Sequence, residues 1–137
     1  MLTSYQILQW LKTLCSTKSI NLLNFYCGTL DNKQLNSLGV YTNISNDVSP
    51  FIAIGGLNET PTNDLGVCLL IHYNKNYKQT EEESIKLFNA LLELNDFIID
   101  GHAVNYINLL VDYPKDVGTD DNGVYERVIN LNVNYKK

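Results

Sequence analysis

Near the end of the chain, apolar and polar residues alternate without a break. Ile129, Leu131, Val133 and Tyr135 fall on one side of an extended backbone, and Asn130, Asn132 and Asn134 fall on the other. Successive side chains of a strand point to opposite faces. This period of two therefore predicts an antiparallel strand with one buried face and one wet, asparagine-rich face. Residues 104–113 form a second apolar run, with Ile107, Leu109, Val111 and Tyr113 on one face. Between the runs, Asp121-Asn122-Gly123 tolerates the positive φ that a chain reversal needs. The two runs are expected to pair as a C-terminal β-hairpin closed by residues 114–123. That connection is long for a hairpin, and long ordered loops are often functional.

A third apolar run, residues 65–73, is apolar on both sides. Val67, Leu69, Ile71 and Tyr73 make one face; Cys68, Leu70 and His72 make the other. Such a strand belongs in the middle of a sheet or at an interface. Shorter strands are expected at 21–27, 40–44, 51–54 and 97–99. Loops and turns are expected at 28–36, 46–50, 57–64, 74–79 and at Asp100-Gly101.

Two helices complete the pattern. Thr3-x-x-Gln6 fits a capping box, and Ile7, Leu8, Leu11, Leu14 and Cys15 follow on one helical face with Trp10 beside them. This helix should fade over residues 16–18. Thr80-x-x-Glu83 fits a second capping box, which puts Glu81, Glu82 and Glu83 in the first turn, favourable to the helix dipole. Ile85, Phe88 and Leu92 form its stripe, Leu87, Leu91 and Leu94 widen it, and it should end near Asn95. The fold class is α+β: a mostly antiparallel sheet around residues 65–73, 103–113 and 124–135, with two helices packed on one face. Residues 1–137 suit one domain.

Composition narrows the function. The chain is 45% hydrophobic and 18% charged, with net charge −5. Residues 1–75 balance four lysines against four acids; residues 76–137 set five lysines and one arginine against eleven acids. Phosphate neutralisation needs clustered Lys and Arg, so an acidic chain with one arginine makes a poor nucleic-acid clamp, while an acidic lining that DNA slides past is compatible. No apolar run is long enough to span a bilayer, and the first residues lack a signal peptide's basic and apolar regions. Three cysteines at irregular spacing, Cys15, Cys27 and Cys68, read as reduced thiols in the core.

No catalytic or metal constellation emerges, so no enzyme, metal or cofactor is expected. If Gly123 is set at the invariant glycine of a calcium loop, Gly118 and Ile129 occupy positions that require acids. Cys68 and His72 share a strand face at a separation of roughly 13 Å, too far for one metal. His102 has no evident carboxylate partner, and no phosphate loop or nucleophile elbow occurs. Arg127, the only arginine, shares a strand face with Tyr125 and Ile129. It reads as a rim side chain lying over the sheet, or as half of an ion pair with Asp116, Asp120 or Asp121 of a neighbouring subunit.

One pattern carries a resemblance. Pro114, then Gly118-x-Asp120-x-x-Gly123-x-Tyr125-Glu126, then an alternating final strand, resembles the C-terminus of phage minor capsid, neck and tail-completion proteins. These tail-terminator-like proteins belong to tailed phages and phage-derived contractile particles. Their order of an N-terminal helix, strands, a central helix and a C-terminal hairpin is similar too. The resemblance implies a structural subunit, assembled in the bacterial cytoplasm into a virion or phage-like particle. It implies a homo-oligomeric ring, a hexamer in tail-terminating members, which sits at the head–tail neck or tail top and caps the tail tube. Partners would be tube, sheath or neck proteins, with DNA passing through unbound and no membrane. Exposed strand edges can pair across subunits. Asp116, Asp120, Asp121, Tyr125, Arg127, Asn130, Asn132 and Asn134 are the candidate contacts. The competing reading is a small cytosolic α+β binding module or enzyme outside any particle.

Overall fold

The computed structural model describes residues 1–28, 33–42, 62–94 and 96–136, and every structural statement below refers to them. The elements run α1 (Ser4–Thr17), β1 (Asn24–Cys27), β2 (Ser37–Thr42), β3 (Thr62–His72), α2 (Tyr77–Leu92), β4 (Phe97–Ile99), β5 (His102–Leu109), β6 (Lys115–Thr119) and β7 (Tyr125–Lys136). The seven strands form one sheet in the order β1-β2-β3-β7-β5-β4, with β6 also paired to β7. Only β1 and β2 run parallel; every other pair is antiparallel. The fold is α+β with a mostly antiparallel sheet. The turn and strand expected at 46–50 and 51–54 lie outside the described residues.

Strands β3 and β7 are the centre. Their ladder runs unbroken from Thr62 opposite Lys136 to His72 opposite Glu126. That register puts Val67, Leu69 and Ile71 on the same face as Ile129, Leu131 and Val133, all at most 2% exposed. Leu38 and Val40 of β2 join from one side, Val104 of β5 from the other, and both helices press their stripes into this cluster. Each fully buried Leu or Ile contributes about 1.5–3 kcal/mol, which fixes the register: a slip by one residue would put the asparagines inside.

Helix α1 forms as its sequence predicts. Thr3 accepts from the Gln6 backbone N–H at 3.2 Å, and the Gln6 side chain accepts from Thr3 N–H at 2.9 Å. Ile7, Leu8, Leu11, Leu14 and Cys15 are the buried residues. The sheet curls around this helix. Ser4 Oγ lies 3.4 Å from Cys27 Sγ of β1, while Trp10 stacks on Phe97 of β4 at 5.1 Å.

Several boundaries differ from expectation. Helix α2 begins one turn early, at Tyr77, because Asn76 caps it by accepting from Gln79 N–H at 3.1 Å. Thr80 is then inside the helix, its hydroxyl donating to Asn76 O at 2.9 Å. Glu81–Glu83 therefore miss the first turn, and their roles come from tertiary contacts instead. Residues 62–64, read as loop, open β3. Cys15 is buried, but Cys27 is exposed and Cys68 half-buried, so the thiols do not share a core.

The largest correction concerns residues 114–123. They are not one long loop. Strands β5 and β6 lie end to end on the same edge of β7. Leu110 N–H still donates to Asn130 O at 2.8 Å, and Lys115 resumes pairing opposite Val128. Residues 111–114 therefore bulge out opposite Ile129 alone. Pro114, which has no N–H for the ladder, sits in this bulge, where strand prolines belong. The hairpin is long and its turn is short.

Candidate assembly interface

The tip of the hairpin is built by two aspartates. Asp120 Oδ1 accepts from Asn122 N–H and Val124 N–H, both at 2.9 Å. Its own N–H donates to Val124 O at 3.0 Å, and Gly123 N–H donates to Asp120 O at 3.1 Å. Gly123 takes φ +81°, a conformation that disfavours any side chain. Asp116 Oδ1 accepts from Gly118 N–H at 2.9 Å, where Gly118 has φ +90°. All five β6 residues are exposed, and Asp121 projects from the turn.

Asp120 also faces inward. The Val124 N–H, and after it the Asn122 N–H, hold its carboxyl below the ordinary value; burial opposes this, and His72 and Lys75 assist. Its second oxygen, Oδ2, is buried without a hydrogen bond, 3.7 Å from His72 Nε2. His72 is fully buried, and its Nδ1 lies 3.1 Å from Glu126 Oε2. The histidine thus anchors the hairpin turn to the end of β3. It lies fully buried on the second face of β3.

Arg127 is neither at the rim nor directed at the hairpin acids. It is 3% exposed, and its Nη2 lies 3.3 Å from Glu81 Oε2 of α2. Its Nη1 donates to Pro114 O at 3.1 Å, which ties the bulge to β7. The guanidinium lies 5.1 Å from the Tyr77 ring centroid and 5.9 Å from that of Tyr113. Tyr125 meets Tyr77 edge-on at 5.3 Å and is half-buried. The turn of α2 gained by starting at Tyr77 supplies one wall of this pocket.

The asparagine face is partly self-satisfied. Asn134 is 7% exposed; it accepts from Asn105 Nδ2 at 2.8 Å and donates to Asp64 Oδ1 at 2.9 Å, a chain across β5, β7 and β3. Asn130 and Asn132 are half-buried, and Asn132 Oδ1 has no hydrogen-bond partner among the described residues. Of the candidate contacts, Asp116 and Asp121 are exposed, Asp116 with one oxygen held by Gly118 N–H. Tyr125, Asn130 and Asn132 are half-available. Asp120, Arg127 and Asn134 are engaged within the chain.

Glu81, His72, Asp64 and Asn105 were missed as parts of these networks. Only His72 carried a signal, its place on the second face of an apolar strand. Among the described residues, no group of three or more His, Cys, Asp or Glu is placed to hold a metal, and no helix is long and apolar enough to cross a membrane. What the surface offers is strand edges, exposed carboxylates and apolar side chains, the means of protein–protein contact. The family model described as "Bacteriophage tail terminator protein" matches residues 1–137, the whole chain. No curated protein matches it.

Proposed function

The chain belongs to the bacteriophage tail terminator family, and from that premise we propose that it closes into a ring which caps the tail tube and stops its growth. A structural role in the phage tail follows from the family itself; the ring and the capping are the reading proposed here. The observation that carries it is the family match over residues 1–137. Six copies is the stoichiometry the resemblance implies. The ring assembles in the bacterial cytoplasm and meets tube, sheath or neck proteins, and its acidic second half lets DNA pass without sticking. Asp116 and Asp121 on the exposed hairpin tip are the proposed contacts to those partners, with Tyr125, Asn130 and Asn132 beside them. Asp120, Arg127 and Asn134 hold that surface in shape. Assembling particles without the chain tests the proposal. Electron microscopy should show tails of uncontrolled length, or tails that fail to join heads. Normal tails of uniform length would overturn it.

A further inference from the structure

An exposed strand edge is a liability that folded proteins blunt with charge, proline, bulges or brevity. Strand β4 is three residues long and flanked by Asp96 and Asp100. Strand β6 follows a bulge with Pro114 and carries Lys115 and Asp116. Two edges lack such protection. Residues 104–111, Val-Asn-Tyr-Ile-Asn-Leu-Leu-Val, contain no charge, proline or glycine. Strand β4 covers only residues 102–104, so 105–109 have no outer strand partner among the described residues. The N–H of Leu110 turns inward to Asn130 O, so in the alternating ladder those of Ile107 and Leu109 turn outward. Beside them a groove of about 460 Å³ is lined by Phe88, Leu91, Leu92, Leu94, Ile107 and Leu109. Leu92 is 59% exposed and Tyr106 52%.

The second edge, open among the described residues, is β1, at the other end of the strand order. Asn24 and Gly28 donate inward to β2, so Phe25 and Cys27 present their N–H groups outward. Leu23 beside it is 68% exposed. The two edges differ in charge. Residues 93–126 hold eight acids and one lysine; residues 1–30 hold two lysines and no acid. The Lys12 ammonium lies 5.9 Å from the Phe25 ring centroid on β1. Strand β1 has no carboxylate in it or in the flanking residues 1–30, whereas carboxylates flank β4 and lie within β6, so β1 is the edge whose charge suits an acid-rimmed groove.

We infer that β1 of one copy adds to the open edge of β5 of the next, with Leu23 entering beside Leu92 and Tyr106. The contact joins two different surfaces, so it propagates head to tail and closes into a ring if the rotation permits. This rests on the ring reading and names the faces that make it.

Leu23→Asp and Leu92→Asp test it, both at exposed positions outside the core. Each should move the midpoint of self-assembly about a hundredfold upward in concentration, because an unpaired carboxylate enters an apolar contact. An equimolar mixture retains one intact junction, β1 of the Leu92→Asp copy on β5 of the Leu23→Asp copy. It should give dimers and nothing larger, read by sedimentation, or by cross-linking of isolated tails if copies meet only there. A parent ring with variants that assemble as well as the parent, or a mixture that forms full rings, overturns this pairing and leaves the ring standing. A parent that is monomeric both in solution and in tails removes the ring itself.

Discussion

The Arg127–Glu81 pair joins the hairpin to α2, and its contribution can be worked from its surroundings. The guanidinium is almost fully buried, whereas the Glu81 side chain is 35% exposed. Removing one partner of a fully buried pair costs about 3–5 kcal/mol. Exposed pairs contribute about 0–1 kcal/mol. One partner wet and one dry places Glu81→Gln between these limits, at about 2 kcal/mol. Arg127→Met keeps the apolar stem but loses the Glu81 partner, the bond to Pro114 O, about 1 kcal/mol, and two ring contacts of about 0.5–1 kcal/mol each. Removing a buried charge also removes its desolvation penalty, which offsets part of that and leaves about 1.5–2 kcal/mol.

If the two groups act on each other, the double variant should cost about 2–2.5 kcal/mol rather than the sum, a coupling of about 1.5 kcal/mol. A chain of this length loses about 3 °C in Tm per kcal/mol, so each single variant should melt about 6 °C early. Urea unfolding of the four proteins measures the cycle. Losses that add to within about 0.5 kcal/mol would show that the pair does not couple, and that Arg127 is held by its rings and Pro114 alone.

Three further outcomes follow from the same geometry. Burial, with Glu83 adding to it, pushes the Cys15 thiol up to about 12, so alkylation of the native protein near pH 8, counted by mass spectrometry, should modify exposed Cys27 first, Cys68 slowly and Cys15 only after unfolding. The Asp120 carboxyl is held below 3.8, so the stability it contributes is present above that value and is lost as pH falls through its lower folded value; Asp120→Asn should flatten the fall in Tm below about pH 4 without changing Tm at pH 7 in the same proportion. Asp116→Asn with Asp121→Asn should leave Tm nearly unchanged and lower incorporation into particles, whereas Ile129→Asp should unfold the chain, because it places a carboxylate in the core.

What the sequence disclosed and what it hid divide along one physical line. Helix α1 was legible in full, since its cap and stripe are local. The alternation in β7 disclosed the strand, its core face and its partner β5; the long ladder with β3 and the pairing with β6 were not in it, and the asparagine face is less wet than the pattern implies. The bulge at 111–114 was not legible, because the apolar pattern of Val111 and Tyr113 continues through it while the backbone departs from the ladder. Pro114 is the one local signal, and it fits a loop as well as a bulge. The start of α2 was misplaced because Asn76 and Thr80 can both cap. Contacts between Tyr77, Tyr125 and Arg127 favour the earlier start. Glu81 as the partner of Arg127 had no signal at all, since 46 residues separate them.

Strand β7 holds the sheet together. Among the described strands it is the only link between the two parts of the sheet: β1, β2 and β3 lie on one side, and β5, β4 and β6 on the other. Strands β3 and β5 do not pair with each other, so the sheet cannot close until the last residues are in place. The same strand contributes Arg127, which pins the bulge through Pro114, and Glu126, which meets the histidine beneath the turn. Substitutions that face inward on β7 therefore act on folding. Those on exposed β6 act on what the hairpin touches, because β6 buries nothing of its own. The turn glycines and Asp120 stand between these roles: they bury no core, yet they decide where the exposed carboxylates of Asp116 and Asp121 point. Gly118, Asp120 and Gly123 therefore set the shape of an exposed acidic tip, and shape together with charge is what a complementary surface reads.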